Sequence, residues 1–276
     1  MSAFIWQMKK TKLYKTFFLE SALILSVLFV FIMGIKAQRP AQQPPVKIIE
    51  LRQADELQKV AGKDVQILKQ NVVFYHEGAF MYCDSAYLYE GSNQFEAFSN
   101  VEIDQGDTIF VYGDYLHYDG ATQLARLRNN VRMEDSQATL FTDSLNYDRM
   151  YNLGYYFDGG MLVDDQNELT SFWGQYNPEN KEALFSDSVK LINEQYTIYA
   201  DTLKYNTESK IADILGPSTI VSDSGYIHTT RGWYNSISDD SQLLDRSIIY
   251  SSNNDKTLTG DTIYYNRAEG FGTVHG

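Results

Sequence analysis

From about Ile48 to the last residue, hydrophobic and polar positions alternate in short runs, and the runs recur about every 29 residues. The clearest copies are Val111-Tyr-Gly-Asp-Tyr-Leu-His-Tyr118, Leu140-Phe-Thr-Asp-Ser-Leu-Asn-Tyr147, Ile198-Tyr-Ala-Asp-Thr-Leu-Lys-Tyr205 and Leu258-Thr-Gly-Asp-Thr-Ile-Tyr-Tyr265. Degenerate copies end at Leu88, Tyr176 and Tyr234, so the anchors Leu88, Tyr118, Tyr147, Tyr176, Tyr205, Tyr234 and Tyr265 follow one another at 30, 29, 29, 29, 29 and 31 residues. A fixed period of this size means one supersecondary unit used repeatedly, each copy burying its apolar face against its neighbours.

Each unit reads as three short strands and three turns. A β-branched run such as Asn100-Val-Glu-Ile103 comes first, then a turn rich in Gly, Asp and Asn, then the Asp-x-Leu-x-Tyr strand. After a second turn, a third strand carries a small residue at a fixed place: Ala97, Ala125, Gly154, Ala183 or Ala212. Alternation and aromatic enrichment are strand signals; Ala54 to Val60 is the only helix-like stretch. Period-two side chains place Tyr112, Leu116 and Tyr118 on one face, with Phe141, Leu145 and Tyr147, and Tyr199, Leu203 and Tyr205, in the equivalent places of later copies. Ile263 and Tyr265 extend the set, and the first strands add Val101 and Ile103, Val131 and Met133, Val189 and Leu191. These residues are the candidates for a continuous inner apolar strip. The expectation is an elongated all-β repeat protein. Short Gly/Asx turns favour antiparallel hairpins, although period alone leaves a parallel β-solenoid open. The end strands are open edges unless capped. The chain stops inside an apparent third strand at Phe271 to Gly276, as though it continued or another subunit docked there.

The first 37 residues stand outside the repeat. Lys9, Lys10, Lys12 and Lys15 precede an uncharged run, Ser21 to Ile35, and Ile35-Lys36-Ala37-Gln38 offers a cleavage point. That is the layout of a signal peptide, with an uncleaved anchor as the alternative; both export the rest. Residues 38–47 form a Pro/Gln linker, and 48–276 the repeat domain. Residues 38–276 hold 18 basic and 35 acidic side chains, a net charge of −17. No basic stripe is present to replace nucleic-acid counterions, which excludes that class of partner. Cys83 is the only cysteine, so the fold is held by packing and backbone pairing.

Asp84, Asp114, Asp143, Asp201 and Asp261 recur in register. The favoured reading is structural, each Asp accepting backbone N–H bonds at a corner. A ladder of cation sites is the sharper alternative, and it lacks the converging oxygens calcium needs. Catalytic carboxylates work as pairs in unlike environments, whereas these are equivalent. Trp173 and Trp233 read as variant core positions. His76, His117, His228 and His275 have no metal spacing, and no phosphate loop, nucleophile elbow or Cys/His cluster is present. No catalytic residue, metal or cofactor is expected.

With an export signal ahead of repeats of the form Asn100-Val-Glu-Ile103 … Gly113-Asp-Tyr-Leu-His-Tyr-Asp119, and again Asn130-Val-Arg-Met133 … Thr142-Asp-Ser-Leu-Asn-Tyr-Asp148, the chain resembles the OstA-like/LptA family of lipopolysaccharide-transport proteins over about residues 48–276. Ile49-Glu-Leu-Arg-Gln-Ala-Asp55 is also similar. The resemblance implies a V-shaped, open-ended β-jellyroll of antiparallel strands in the periplasm. It further implies lipopolysaccharide as cargo, its acyl chains held in the apolar interior, and edge-to-edge pairing with other transport components or with itself. The net charge of −17 would keep lipid phosphates outside or bridged by cations. Two rivals stand beside this reading: a structural or adhesive cell-surface solenoid with a filled interior, and a solenoid polysaccharide lyase or hydrolase, which the absence of a clustered charged patch disfavours.

Overall fold

The computed structural model describes residues 47–276 except 107, 254, 267 and 268; the signal or anchor segment and most of the linker lie outside them. Two short strands, β1 (Glu50–Gln53) and β2 (Glu56–Lys59), pair side by side along β3 (Gln66–His76). Within the stretch Ala54 to Val60, helix-like in sequence, Glu56–Lys59 is therefore an exposed strand, with Ala54 half-buried against the core. An antiparallel meander of long strands follows: β4 (Ala79–Tyr89), β5 (Gln94–Gln105), β6 (Ile109–Asp119), β7 (Leu124–Glu134) and β8 (Thr139–Asp148), each paired with the next.

Beyond β8, some long strands are broken in the middle. The pair β9 (Leu153–Tyr156) and β10 (Gly160–Val163) shares β8, and β11 (Asn167–Ser171) with β12 (Trp173–Asn177) continues the meander to β13 (Glu182–Asn193) and β14 (Tyr196–Asn206). The pattern then repeats with β15 (Ile211–Ile214), β16 (Ser218–Ser222), β17 (Gly225–Thr229) and β18 (Arg231–Asn235), before β19 (Asp240–Ser251), β20 (Lys256–Asn266) and β21 (Phe271–His275). Among the described residues every pairing is antiparallel, which removes the parallel solenoid.

Each long strand bends at its midpoint, and the sequence shows why. At Gln70-Asn71, Ser99-Asn100, Asn129-Asn130, Asp187-Ser188 and Asp245-Arg246, two consecutive residues have φ between +50° and +65°. Small amide and carboxylate side chains are the ones that tolerate this left-handed region. Each pair is a β-bulge, two residues facing one, which kinks and twists the strand. The breaks at Asp158-Gly159 and Gly216-Pro217 fall at the same repeat position. One half of every strand thus belongs to one wall and the other half to the facing wall.

The bulge also corrects the parity read from sequence. On β6, Val111 and Gly113 face inward before the bend, and Leu116 and Tyr118 after it. Extrapolating the Leu-x-Tyr alternation back through the bend selects the wrong residues. Phe141 and Tyr199, expected inside, lie on the outer face at 38 % and 49 % exposure, and Tyr112 lies outside too. Leu140 and Ile198 take the inner places. Trp173 and Trp233 are likewise outward and half-buried, with Gly174 and Gly232 turned in, rather than core positions.

Candidate functional site

Between the two walls lies the inner strip. Val101, Ile103, Leu116, Tyr118, Val131, Met133, Leu145, Tyr147, Val189, Leu191, Leu203, Tyr205 and Ile263 are buried there, and Tyr265 is half-buried at the C-terminal end. The strand register arranges the tyrosines into a ladder. Tyr118, Ala125, Tyr147, Gly154, Tyr176, Ala183, Tyr205, Ala212 and Tyr234 are directly opposed on successive strands. Every ring therefore lies over small neighbours, which explains the fixed small residue of the third strand. At Gly154 even a methyl is excluded, since a Cβ there would stand 2.7 Å from Met133 Sδ. Burial raises the phenol pKa of Tyr147, Tyr176 and Tyr205, and of Tyr156 to about 12; these groups stay neutral.

The hydroxyls of the ladder point to a seam. Folding the meander at its bulges brings one row of hairpin turns against the other, and polar side chains stitch the two rows together. Asn93 Nδ2 donates to the Lys47 carbonyl and Gln105 Nε2 to Asn152 Oδ1, across 46 and 47 residues. The Lys181 ammonium meets Asp135 at 2.8 Å, also 46 residues away, and Tyr176 donates to the same carboxylate. Lys210 lies 3.0 Å from Asp164, whose side chain is fully buried, and Tyr205 donates to that carboxylate. Asp164 Oδ1 also accepts the backbone N–H groups of Gln166 and Asn167. A buried charge needs this density of partners. Burial pulls the Lys210 pKa down, but its hydrogen bonds to Asp165 and Asp164 outweigh that and leave it raised.

At the N-terminal end of the seam, Arg149 donates to Tyr118 Oη at 2.7 Å, to Gln105 Oε1 at 2.9 Å and to the Glu77 carbonyl at 3.1 Å. His76 Nε2 faces the Lys47 carbonyl and Nδ1 faces Tyr118 Oη. A carbonyl can only accept, so Nε2 carries the proton and Nδ1 accepts from the Tyr118 hydroxyl. Burial first, and the Arg149 charge with it, lower the His76 pKa. Apart from Tyr118 and Tyr205, which the sequence placed on the inner strip for their apolar rings, these seam residues were not singled out as functional in the sequence, because partners about 46 residues apart leave no local pattern.

The seam does not run the full length. Among the described residues the stitch furthest along the chain is Ser236 Oγ to Gln166 Oε1 at 3.1 Å. Beyond it the interior opens into a mouth of about 560 Å³, whose lining includes Ile220, Leu243, Ile249, Leu258, Ile263 and Val274. Tyr196 and Tyr234, edge to face with centroids 4.8 Å apart, form its floor. Leu258, equivalent to the buried Leu140 and Ile198, is 45 % exposed here.

The repeated aspartates sit on the outside, opposite the left-handed pairs. Asp84 accepts from Asn100 Nδ2 and Asp114 from Asn130 Nδ2, at 2.8 and 2.6 Å. These bonds come from side-chain amides, not from the backbone N–H groups expected. Backbone capping falls to another set, Asp119, Asp135, Asp148 and Asp164, at the hairpin turns. Among the described residues no group of three His, Cys, Asp or Glu converges as a metal site. Cys83 is buried and its thiol pushed up to about 12, chiefly by burial, so it is no nucleophile. Among the same residues no helix is long and apolar enough to cross a membrane.

The family described as OstA-like protein matches residues 46–201, more than half of the chain. The chain belongs to the OstA-like family. The matched OstA-like region takes in the seam from Lys47 through Asp164 and, of the mouth residues named above, Tyr196 alone. No curated protein sequence matches the chain. Among solved structures, the crystal structure of LptH from Pseudomonas aeruginosa, the LptA homologous periplasmic component of the conserved lipopolysaccharide transport device, is similar at 17 % identity, over 38 % of this chain and 79 % of that one, with a TM-score of 0.35. So loose a likeness does not bear on the reading of the OstA-like site.

Proposed function

We propose that this OstA-like chain is a periplasmic lipopolysaccharide-transport protein that binds rather than catalyses. Its apolar interior shields acyl chains, and its end strands join it to further transport components between the inner and outer membranes. The observation that carries this is the apolar interior with an unsealed mouth, in a chain of this family. A tail entering the mouth past Leu258, Ile249 and Val274 leaves water at a gain of about 0.8 kcal/mol per CH₂. Edge pairing has a physical basis as well. Among the described residues β1 and β2 pair only with β3, and β21 only with β20, so each end leaves a row of backbone donors and acceptors for β-augmentation.

A second reading has an observation in its favour: from Leu68 to Ile214 the interior is filled by its own side chains, as in a structural solenoid that carries nothing. Photo-crosslinkers at Leu258 in the mouth and at Leu145 in the sealed part separate the two. Lipopolysaccharide is expected at Leu258; capture at Leu145 as well would show that the seam parts during transit. Crosslinks to protein alone at both positions would sink the transport reading.

A further inference from the structure

We propose that the outer face carries a second binding site, an aromatic track for an extended, uncharged glycan running along the long axis. The proposal rests on the transport reading, because it gives the sugar portion of an amphiphile a path parallel to its tails.

The track is a single row of directly opposed residues crossing the strands: Tyr82, Glu102, Tyr112, Arg132, Phe141, Met161, then Thr170, Lys190, Tyr199, Thr219 and His228. Rings recur at one repeat position, two residues before the Asp: Tyr82, Tyr112, Phe141 and Tyr199, with His228 continuing the row. Tyr82, Tyr112 and Phe141, and again Tyr199 and His228, occupy alternate strands about 9.5 Å apart, twice the strand spacing, while Thr170 stands at the ring position between Phe141 and Tyr199 and leaves a gap of about 19 Å there. The shorter spacing is about the length of two pyranose rings in an extended chain. Tyr82, Phe141, Tyr199 and His228 are exposed. Arg132 lies 4.4 Å from the centroid of the Tyr112 ring and Lys190 5.9 Å from that of Tyr199, orienting them.

The surface beside the row is hollowed in two equivalent places, of about 770 and 760 Å³. Tyr112, Arg132, Phe141 and Asp158 line one, and Lys190, Tyr199, His228 and Arg246 the other. A ring face presents π-density to the C–H face of a sugar, and Asn, Asp, Ser and Thr at the bulges supply donors and acceptors for hydroxyls. Charge decides the class of occupant. Positive and negative groups alternate along the furrow, and the chain is acidic overall, so a polyanion is repelled while a neutral hydroxyl-rich chain is not.

The test uses the full chain with two probes: neutral polysaccharide freed from lipopolysaccharide by mild acid, and lipid A free of that polysaccharide. In affinity electrophoresis the wild type should bind the polysaccharide. A Tyr112→Ala, Phe141→Ala, Tyr199→Ala variant should bind it roughly tenfold more weakly, the effect of removing central aromatic anchors, with lipid A binding unchanged. On the wild type, oligosaccharide titration should shift the ring resonances of Tyr112, Phe141 and Tyr199 and leave those of Tyr118 and Tyr147 in place, which holds independently of the variant's folding. Unchanged affinity in the folded variant, no binding by the wild type, or loss of self-association instead of glycan binding, would each overturn the track. Lipid A binding without polysaccharide binding refutes the track alone, and binding of neither refutes the transport reading too.

Discussion

The sealed part of the molecule, from Leu68 to Ile214, and the C-terminal mouth are built from the same repeat, yet one is closed and the other open. In both, a Leu or Ile precedes a tyrosine on the inner face of the second strand: Leu145 and Tyr147 in one, Ile263 and Tyr265 in the other. The difference lies in what meets the tyrosine hydroxyl. Tyr176 and Tyr205 donate to carboxylates on the facing row of turns; Tyr118 accepts from Arg149, and Tyr147 reaches Asn152, and each of those partners is itself tied across the seam to Gln105, whereas Tyr234 donates to Asp239 within its own hairpin. An apolar interior is thus necessary for a lipid path but does not set its accessibility. A few buried polar groups at the rim decide that.

The contrast can be broken at its strongest point by Lys210→Met. It leaves the Asp164 carboxylate buried without its cation and should cost about 3–5 kcal/mol in chemical denaturation, while Lys256→Met at the mouth should change stability by less than about 0.5 kcal/mol. Equal effects would mean that the seam does not distinguish the regions. Next in size, Tyr147→Ala empties a fully buried ring site and should cost about 3–5 kcal/mol; Tyr265→Ala, half-exposed, should cost far less. Gly154→Val drives a side chain into Met133 and should cost about 1–3 kcal/mol, read from the same denaturation curves. The smallest effect is one of pH. The folded His76 pKa lies below its ordinary value of 6.5, so the unfolded chain takes up protons first. The stability this contributes is present above pH 6.5 and is lost as pH falls through the folded value. Melting temperature measured against pH should show that slope in the wild type and lose it in His76→Gln.

The class of fold, its antiparallel meander and most of the inner strip were legible in the sequence, because period two and the recurring Asp-x-Leu-x-Tyr are local. Phe141 and Tyr199 were misplaced because a bulge resets alternation in mid-strand. The signal lay in the paired polar residues Ser99-Asn100, Asn129-Asn130 and Asp187-Ser188, which suit left-handed backbone. The repeated Asp was read as accepting backbone N–H groups at a corner, whereas Asp84 and Asp114 accept from an Asn side chain on the next strand. The seam was not legible at all, since Asp135 with Lys181 and Asp164 with Lys210 are brought together only once the whole sheet has folded on itself.

The 46-residue offset of the stitches has a consequence for how the chain comes apart. That offset exceeds one repeat, and the bonds of Glu77 with Arg149 and of Gln166 with Ser236 span 72 and 70 residues, so these stitches do not close a repeat upon itself but tie it to a later one. A stack of self-contained units would fray one unit at a time from its ends. Here, loosening any repeat between Lys47 and Lys210 also releases bonds belonging to its neighbours, so this stretch should melt as one cooperative block, with the unstitched C-terminal strands free to open and close on their own.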